Sequence, residues 1–279
     1  SLYGETLNLS ASQIDRVAEC RLSYFLKYGL RARERKEATV DPAEFGTYVH
    51  AVLENTARDV MEQGGFQTVS MEQTLQIAKA HSDAYTAEHF GQLNSLRSEY
   101  LFRRNMQELD LVVRELWEEL SQAKYAPADF ELHFGEGGKM PAISIPATSM
   151  NAALQGFVDR IDVFEVAGVK YFRVVDYKTG IKSFDLCDVF NGIGLQMLLY
   201  MYALAHSDVS NPDETVIAAG VQYFSARAPF EKTDAAVDEE LPVRQTPRKG
   251  LLLNDDLSLA AMDPRDEAPT LGLKGRRGS

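Results

Sequence analysis

Two neighbouring stretches decide the fold, Gly156-Phe-Val-Asp159-Arg-Ile-Asp162 and Val174-Val-Asp176-Tyr-Lys178-Thr-Gly180. Around them, apolar and polar residues alternate from Leu154 to Val166 and again from Val169 to Tyr177, with Ala167-Gly168 between the two segments. A period of two with many Val, Ile, Phe and Tyr residues is typical of β-strands, and a two-residue connection favours a hairpin. The sequence therefore predicts a β-hairpin.

Two carboxylates and a lysine are predicted at one end of this hairpin. Asp159 belongs to the first strand and Asp176 to the end of the second, and Lys178 points to the same face as Asp176 because strand side chains repeat every two residues. Hard oxygen ligands suit Mg²⁺ or Mn²⁺. A neighbouring lysine can orient a water molecule or stabilise charge on phosphorus. The alternative is a solvated strand face that carries an ordinary ion pair.

The composition is that of an ordinary globular chain, with 279 residues, 45% hydrophobic and 25% charged. No apolar run approaches the roughly 18 residues of a membrane span, and no basic start precedes an apolar segment. The expected location is the cytoplasm, without a membrane partner.

The formal net charge of −12 is unusual for a protein that binds nucleic acid, because phosphates attract Lys and Arg. Local basic clusters occur at Arg31 to Lys36, at Arg103-Arg104 and at Arg244 to Lys249. Each cluster could contact DNA or could be a solvated loop or helix face.

Three helical regions precede the sheet. Ser10 or Ser12 can cap a helix that runs to about Tyr28. Pro42 opens a second helix to about Gln63, which carries His50 beside an apolar stripe. The region from about Ser70 to Ala123 is predicted to be a helical insertion.

The remaining elements complete a sheet. Phe130 to Phe134 is predicted to be its first strand, with no chemistry assigned to Glu131. Asp185 to His206 is predicted to be a buried crossover helix, and Thr215 to Phe224 a strand parallel to its predecessor. The tail from 231 to 279 is predicted to be mostly loop, with a short strand at Lys249 to Leu253. The fold class is thus α/β, an α-β-β-β-α-β core with a mixed sheet and a large helical insertion.

An ordered set of short motifs resembles the PD-(D/E)xK nucleases of the RecB type, and most closely the C-terminal nuclease domain of AddB-type (RexB) subunits of bacterial AddAB helicase-nucleases. That core is the restriction-endonuclease-like fold. The matching pieces, in the family's order, are Leu9-Ser-Ala-Ser12 with Cys20, Gly46-Thr-Tyr-Val-His50 with Glu54, Gly156-Phe-Val-Asp159, Asp176-Tyr-Lys178-Thr-Gly180, and Gln196 with Tyr200.

The resemblance implies a metal-dependent DNA exonuclease. It assigns Mg²⁺ or Mn²⁺ to Asp159, Asp176, the Tyr177 backbone carbonyl and His50, with Glu54 as a partner of His50. It places Lys178, Gln196 and Tyr200 beside the acids as members of the catalytic site. Aromatic side chains could also stack on DNA bases, and the candidates are Tyr177, Tyr200 and Phe184, with core packing as the alternative for each.

The resemblance also implies an iron-sulfur cluster in an intact relative. Cys20 matches the first cysteine ligand of that 4Fe-4S cluster, but the later trio of cysteines does not occur, so this chain alone is not expected to hold it. Cys187 is expected to be a buried apolar residue.

The implied biological role is the nuclease module of a helicase-nuclease that processes double-strand breaks for recombinational repair. Its partners would be a single-stranded DNA end and an AddA-type helicase subunit. The chain is expected to be one nuclease domain, with parts 1–40, 42–123, 128–225 and 226–279, taken from a longer protein. Two alternatives stay open: an idle DNA-binding or scaffolding domain of a helicase complex, or another RecB-type nuclease of the CRISPR-associated or restriction-like kind.

Overall fold

Seven strands form one mixed sheet in the computed structural model, which describes residues 6–32, 42–89, 96–145, 151–180, 184–205, 215–226, 248–265 and 268–271. The strands are β1 (Thr6–Ser10), β2 (Ala126–Phe134), β3 (Ile143–Ile145), β4 (Asn151–Val166), β5 (Val169–Lys178), β6 (Thr215–Ser225) and β7 (Lys249–Leu252). The order is β1-β4-β5-β6-β7, and β2 and β3 also pair with β4. β4 is therefore the central strand.

The predicted hairpin is β4 and β5, and it begins three residues earlier than the alternation suggested. The two strands pair antiparallel from Arg160–Val175 to Val166–Val169. Ala167 and Gly168 both have positive φ, as a tight two-residue hairpin turn requires. β6 pairs parallel with β5, as the crossover rule predicted. The α-β-β-β-α-β core and the short strand β7 are both present.

The N-terminal helix is shorter than predicted because Cys20 interrupts it. Ser10 caps α1 (Ala11–Glu19) with a reciprocal capping box to Gln13. Cys20 then takes an extended conformation and its sulfur accepts the Ser23 N–H, so a new helix, α2 (Arg21–Tyr24), starts there and passes into a π-helical turn at Phe25–Gly29. The prediction of one continuous helix to Tyr28 was wrong.

Three long helices pack together: α3 (Pro42–Glu62), α4 (Met71–His89) and α5 (Leu96–Gln122). The bounds of α3 agree with the prediction to within one residue. Buried side chains of α3 and α5, among them Val52, Leu53 and Leu116, form a core with Val175 and Phe224 of the sheet. The helical region is therefore part of the main core.

The crossover segment is also two helices, α6 (Leu186–Phe190) and α7 (Gln196–Ala205), where one was predicted. Gly192 and Gly194 between them have positive φ, which ends a helix at little cost. The Asp15 carboxylate accepts the N–H groups of Gly194 and Leu195 and so caps the start of α7 from α1.

A buried ionic network joins α5 to the sheet. Its carboxylates are Glu115 and Glu119 of α5 and Asp162 of β4, and its guanidinium groups are Arg160 of β4, Arg173 of β5 and Arg248 before β7. Burial alone would raise the pKa of Glu119, but Arg248, Arg173 and Arg160 outweigh it and hold that pKa at about 2. The three positive groups are matched by three negative groups, so the network buries no net charge.

A further helix, α8 (Asp256–Met262), was not predicted; it packs through Leu259 and Met262 on a third apolar cluster.

Most of the predicted basic clusters lie outside the described part of the chain: residues 33–36, the side chains of Arg103 and Arg104, and residues 244–247. Among the described helices, none has the length and apolarity needed to cross a membrane.

Candidate metal and active site

The site begins where β4 and β5 stop pairing. Beyond the Arg160–Val175 pair, the Asp159 carboxylate accepts the Tyr177 N–H at 2.7 Å. The side chain thus replaces the next ladder hydrogen bond. It fixes Asp159 against the backbone segment that carries Asp176, Tyr177 and Lys178.

His50 reaches the same point from α3. Its Nδ1 lies 3.4 Å from Asp159 Oδ2, and its ring also hydrogen-bonds to the backbone of Tyr177. Burial lowers the pKa of His50, although the nearby Asp176 charge raises it. A neutral imidazole is the form that binds metal ions, so His50 is suited to be a ligand.

Glu131 completes a group of three side chains. Its carboxylate, the His50 imidazole and the Asp159 carboxylate offer ligand atoms within 4.8 Å of one another. Glu131 lies on β2 with φ of +47°, a conformation that L residues seldom adopt within a strand. The alternation of β2 gave no reason to place Glu131 at the site, because a regular strand has no positive φ.

The charges at this point repel one another. Burial and the Asp176 charge raise the pKa of Asp159 well above its usual value. Burial and the Glu54 charge likewise raise the pKa of Glu131. A divalent cation among these groups would offset both effects, and the hard carboxylate oxygens fit such an ion.

Asp176 and Lys178 contact each other, as their spacing on one strand face predicted. Asp176 lies outside the group of three ligand atoms, but it is close enough for its charge to raise the pKa of Asp159. Its buried Oδ2 lies against the Lys178 ammonium, and no other hydrogen-bond donor among the described residues satisfies it. The ion pair with Lys178 is therefore the one polar contact of that oxygen within the described residues.

Tyr200 and Gln196 of α7 lie next to β4. The Tyr200 hydroxyl hydrogen-bonds with Gln196 and with the backbone of Phe157, and burial raises the pKa of Tyr200 to about 12. A Cβ added to Gly156 would lie 1.8 Å from the Tyr200 hydroxyl oxygen. Position 156 therefore requires glycine because the tyrosine occupies the space where a side chain would begin.

Several expectations are corrected by burial. Tyr177 and Tyr200 are only 1% and 2% exposed, so they pack in the core and are not open to DNA bases; Phe184 is partly buried against the same core. The expected partner of His50, Glu54, binds Arg58 at 2.7 Å and acts on His50 only through its charge.

Both cysteines are exposed, which contradicts the expectation that Cys187 is buried. Cys187 lies in the first turn of the short helix α6, where Asp185 accepts its N–H. Cys20 is at the break between α1 and α2, with its sulfur directed to the Ser23 N–H.

A family model described as the PD-(D/E)XK nuclease superfamily matches residues 8–268. Several curated relatives are each named as the B subunit of an ATP-dependent helicase/deoxyribonuclease. The one from Clostridium acetobutylicum is 30% identical over 97% of this chain and 24% of its own length. The one from Clostridium novyi is 30% identical over 99% of the chain and 25% of its own length, and the one from Thermoanaerobacter sp. is 33% identical over 94% and 23%. The chain thus spans about a quarter of the length of these relatives.

Proposed function

Because this chain belongs to the PD-(D/E)XK nuclease superfamily, we propose that it hydrolyses phosphodiester bonds of DNA with the help of Mg²⁺ or Mn²⁺. The observation that carries the proposal is the convergence of His50, Glu131 and Asp159 beside the Asp176–Lys178 pair. Crowded carboxylates with a lysine at their edge suit a reaction in which negative charge grows on a phosphate.

The ion would be held by Asp159, Asp176, the Tyr177 carbonyl and His50, with Glu131 as an additional carboxylate. When bound, such an ion polarises the scissile phosphate and lowers the pKa of the attacking water. Asp159 is kept in position by the Tyr177 N–H, and the His50 ring by the Tyr177 backbone. The same short segment of β5 therefore orients two ligands, Asp159 and His50, and would supply the other two.

Lys178 would stabilise the charge that develops on the phosphate and would hold the attacking water in line. The Lys178 side chain is 31% exposed, whereas the side chain of its partner Asp176 is buried. Lys178 therefore lies at the boundary between the acids and solvent. Tyr200 and Gln196 act as positioning residues: the tyrosine fixes the β4 backbone at Gly156, three residues before Asp159.

The names of the relatives support a more specific role for the intact protein. We infer the exonuclease module of a helicase-nuclease, acting on single-stranded DNA ends during recombinational repair, with an AddA-type helicase subunit as partner and the cytoplasm as location. Cys20, exposed and at a helix break, would be a ligand of a 4Fe-4S cluster in the intact protein. The whole of 1–279 would then be one nuclease domain.

The test is cleavage of end-labelled single-stranded DNA by the chain with Mg²⁺ or Mn²⁺. Lys178→Ala should slow cleavage by about 100- to 1,000-fold, the loss expected when one group that stabilises developing charge is removed. Lys139→Ala is the control, because Lys139 is exposed and pairs with Asp129 away from the three ligands. Equal rates for the unchanged chain and Lys178→Ala would reject the proposal.

The competing proposal is a DNA-binding or scaffolding domain without catalysis. It predicts binding of the labelled DNA with no products for any variant. Another RecB-type nuclease, of the CRISPR-associated or restriction-like kind, would cleave by the same residues. It would differ in needing no helicase subunit for full activity.

A further inference from the structure

An exposed aromatic side chain of β4 lies on the α3 side of the sheet, the side from which His50 reaches Asp159. Phe157 is 51% exposed, and it precedes Asp159 by two residues. Its neighbour Val158 packs with Tyr200 on the α7 side, so Phe157 points to the α3 side. Two residues of extended chain separate the Phe157 and Asp159 Cα atoms by at most about 7 Å. Single exposed apolar residues are common on protein surfaces, so exposure alone carries no conclusion.

A second aromatic ring supports Phe157. His133 of β2 pairs directly with Phe157, and the two rings stack with centroids 4.4 Å apart and planes 8° from parallel. The turn after β2 passes close to His133, since a Cβ on Gly138 would lie 2.9 Å from His133 Cγ. Half of Phe157 nevertheless stays exposed. The stack therefore consists of the His133 and Phe157 rings and leaves half of the Phe157 side chain open to solvent.

The register places this stack next to the candidate site. β2 and β4 pair at Phe130–Arg160, Leu132–Val158 and His133–Phe157, which sets Glu131 opposite Asp159. The alternation breaks at this point, since Val158 packs on the α7 side and Arg160 hydrogen-bonds to Tyr177 on the α3 side. The stacked rings therefore lie next to the two carboxylates along the paired strands. The separation of about 7 Å is roughly two stacked-base rises of 3.4 Å.

We propose that the His133–Phe157 stack is a platform for a nucleobase of single-stranded DNA, one or two nucleotides from the phosphate held at the Asp159 site. This inference rests on the proposed function and names the substrate feature that the site recognises. The chain's net charge of −12 limits attraction to the DNA backbone, so contacts with bases gain in importance. Stacking accepts any base, which suits an enzyme that must process every sequence.

The experiment measures binding without cleavage. A fluorescent oligothymidylate and an oligonucleotide of the same length with abasic sites are titrated with the chain in the presence of a metal chelator. Phe157→Ala should weaken binding of the oligothymidylate by roughly 5- to 150-fold and leave the abasic oligonucleotide unchanged, because only the former has a ring to stack. Phe157→Trp should retain the affinity, since it keeps an aromatic face.

Phe25→Ala is the matched control, because Phe25 is 49% exposed and lies in the N-terminal π-helical turn. It should bind both oligonucleotides as the unchanged chain does. An equal effect of Phe157→Ala on both oligonucleotides, or no effect on either, overturns the platform while leaving the cleavage test untouched. If the unchanged chain binds neither oligonucleotide and cleaves no DNA, the proposed function fails as well.

Discussion

The His50 imidazole lies against the Asp159 carboxylate, with 3.4 Å between Nδ1 and Oδ2. One of these residues comes from a helix and the other from the central strand, so the site depends on the packing of α3 on the sheet. A nitrogen ligand beside carboxylates also affects which ion is preferred. Imidazole binds later first-row metals well, whereas Mg²⁺ prefers oxygen.

His50→Ala should therefore impair cleavage with Mn²⁺ more than with Mg²⁺. We expect the half-saturating concentration of Mn²⁺ to rise by about 10- to 100-fold and that of Mg²⁺ by less, measured as cleavage rate against metal concentration. His81→Ala is the control, because His81 makes a comparable contact with Asp59 at 2.8 Å but belongs to α4. Equal losses with both ions would mean that the imidazole is not a ligand.

Glu131→Gln should weaken metal binding while leaving the fold intact. The substitution keeps the side chain's size and removes a charge that contributes to the raised pKa of Asp159. We expect a roughly 10-fold to 100-fold increase in the metal concentration needed for half-maximal cleavage. Asp129→Asn, two residues earlier on β2, should leave that concentration unchanged, since its carboxylate binds Lys139. Equal half-saturating metal concentrations for Glu131→Gln and Asp129→Asn would show that Glu131 is not a ligand.

Gly156→Ala should disturb the packing of α7 on β4. The new Cβ would meet the Tyr200 hydroxyl oxygen at 1.8 Å, so either the tyrosine or the strand must shift. Such overpacking costs about 1–3 kcal/mol of unfolding free energy, which denaturant titration measures, and the rate of cleavage should fall with it. Gly180→Ala serves as the stability control, because a Cβ there meets no atom within 4 Å. A stable Gly156→Ala protein would show that Tyr200 is free to move.

Tyr177→Phe should separate stability from activity. The Tyr177 hydroxyl accepts a hydrogen bond from the buried Arg160 guanidinium at 2.9 Å, and loss of that acceptor should cost about 1–3 kcal/mol of unfolding free energy. The backbone N–H that holds Asp159 remains, so cleavage well below the unfolding temperature should persist. A loss of cleavage without a loss of stability would assign the hydroxyl itself a part in the reaction.

Glu119→Gln should change how stability depends on pH. The pKa of Glu119 is about 2 in the folded chain against 4.5 for an ordinary glutamate, so the folded state loses stability as pH falls from about 4.5 towards 2. By linkage this loss is about 3 kcal/mol. The glutamine variant should be less stable near neutral pH, because three buried guanidinium groups lose a counter-charge, and it should lack this part of the acid dependence. The unfolding free energies of the unchanged chain and of Glu119→Gln, measured from pH 2 to 7, test this prediction. Parallel dependences on pH would contradict it.

Sequence reasoning succeeded where structure is local. The alternation in β4 and β5 and the Ala167-Gly168 turn specify the hairpin, and the spacing of Asp176 and Lys178 specifies their common face. The sequence did not predict the helix interruptions at Cys20 and at residues 191–195, because the apolar spacing continues through them. The short strands β1 and β3 were not predicted either, since three to five residues show little periodicity.

The composition of the site was less predictable than its position. Nothing in the alternation of Phe130 to Phe134 reveals the positive φ of Glu131 that brings its carboxylate to His50. The burial of Tyr177 and Tyr200 depends on the ionic network and on the packing of α7, which join parts of the chain far apart in sequence. Only the assembled fold decides which aromatic residue faces solvent.

The ionic network beneath the sheet sets a limit on engineering a smaller nuclease from this chain. Deleting α4 and α5 to obtain a minimal catalytic sheet would remove both Glu115 and Glu119. Three buried arginines would then keep Asp162 as the one remaining counter-ion among the residues of the network. Arg160, the residue that anchors Tyr177, would be among them. A miniature version would therefore have to replace those arginines with apolar side chains at the same time as it sheds the helices.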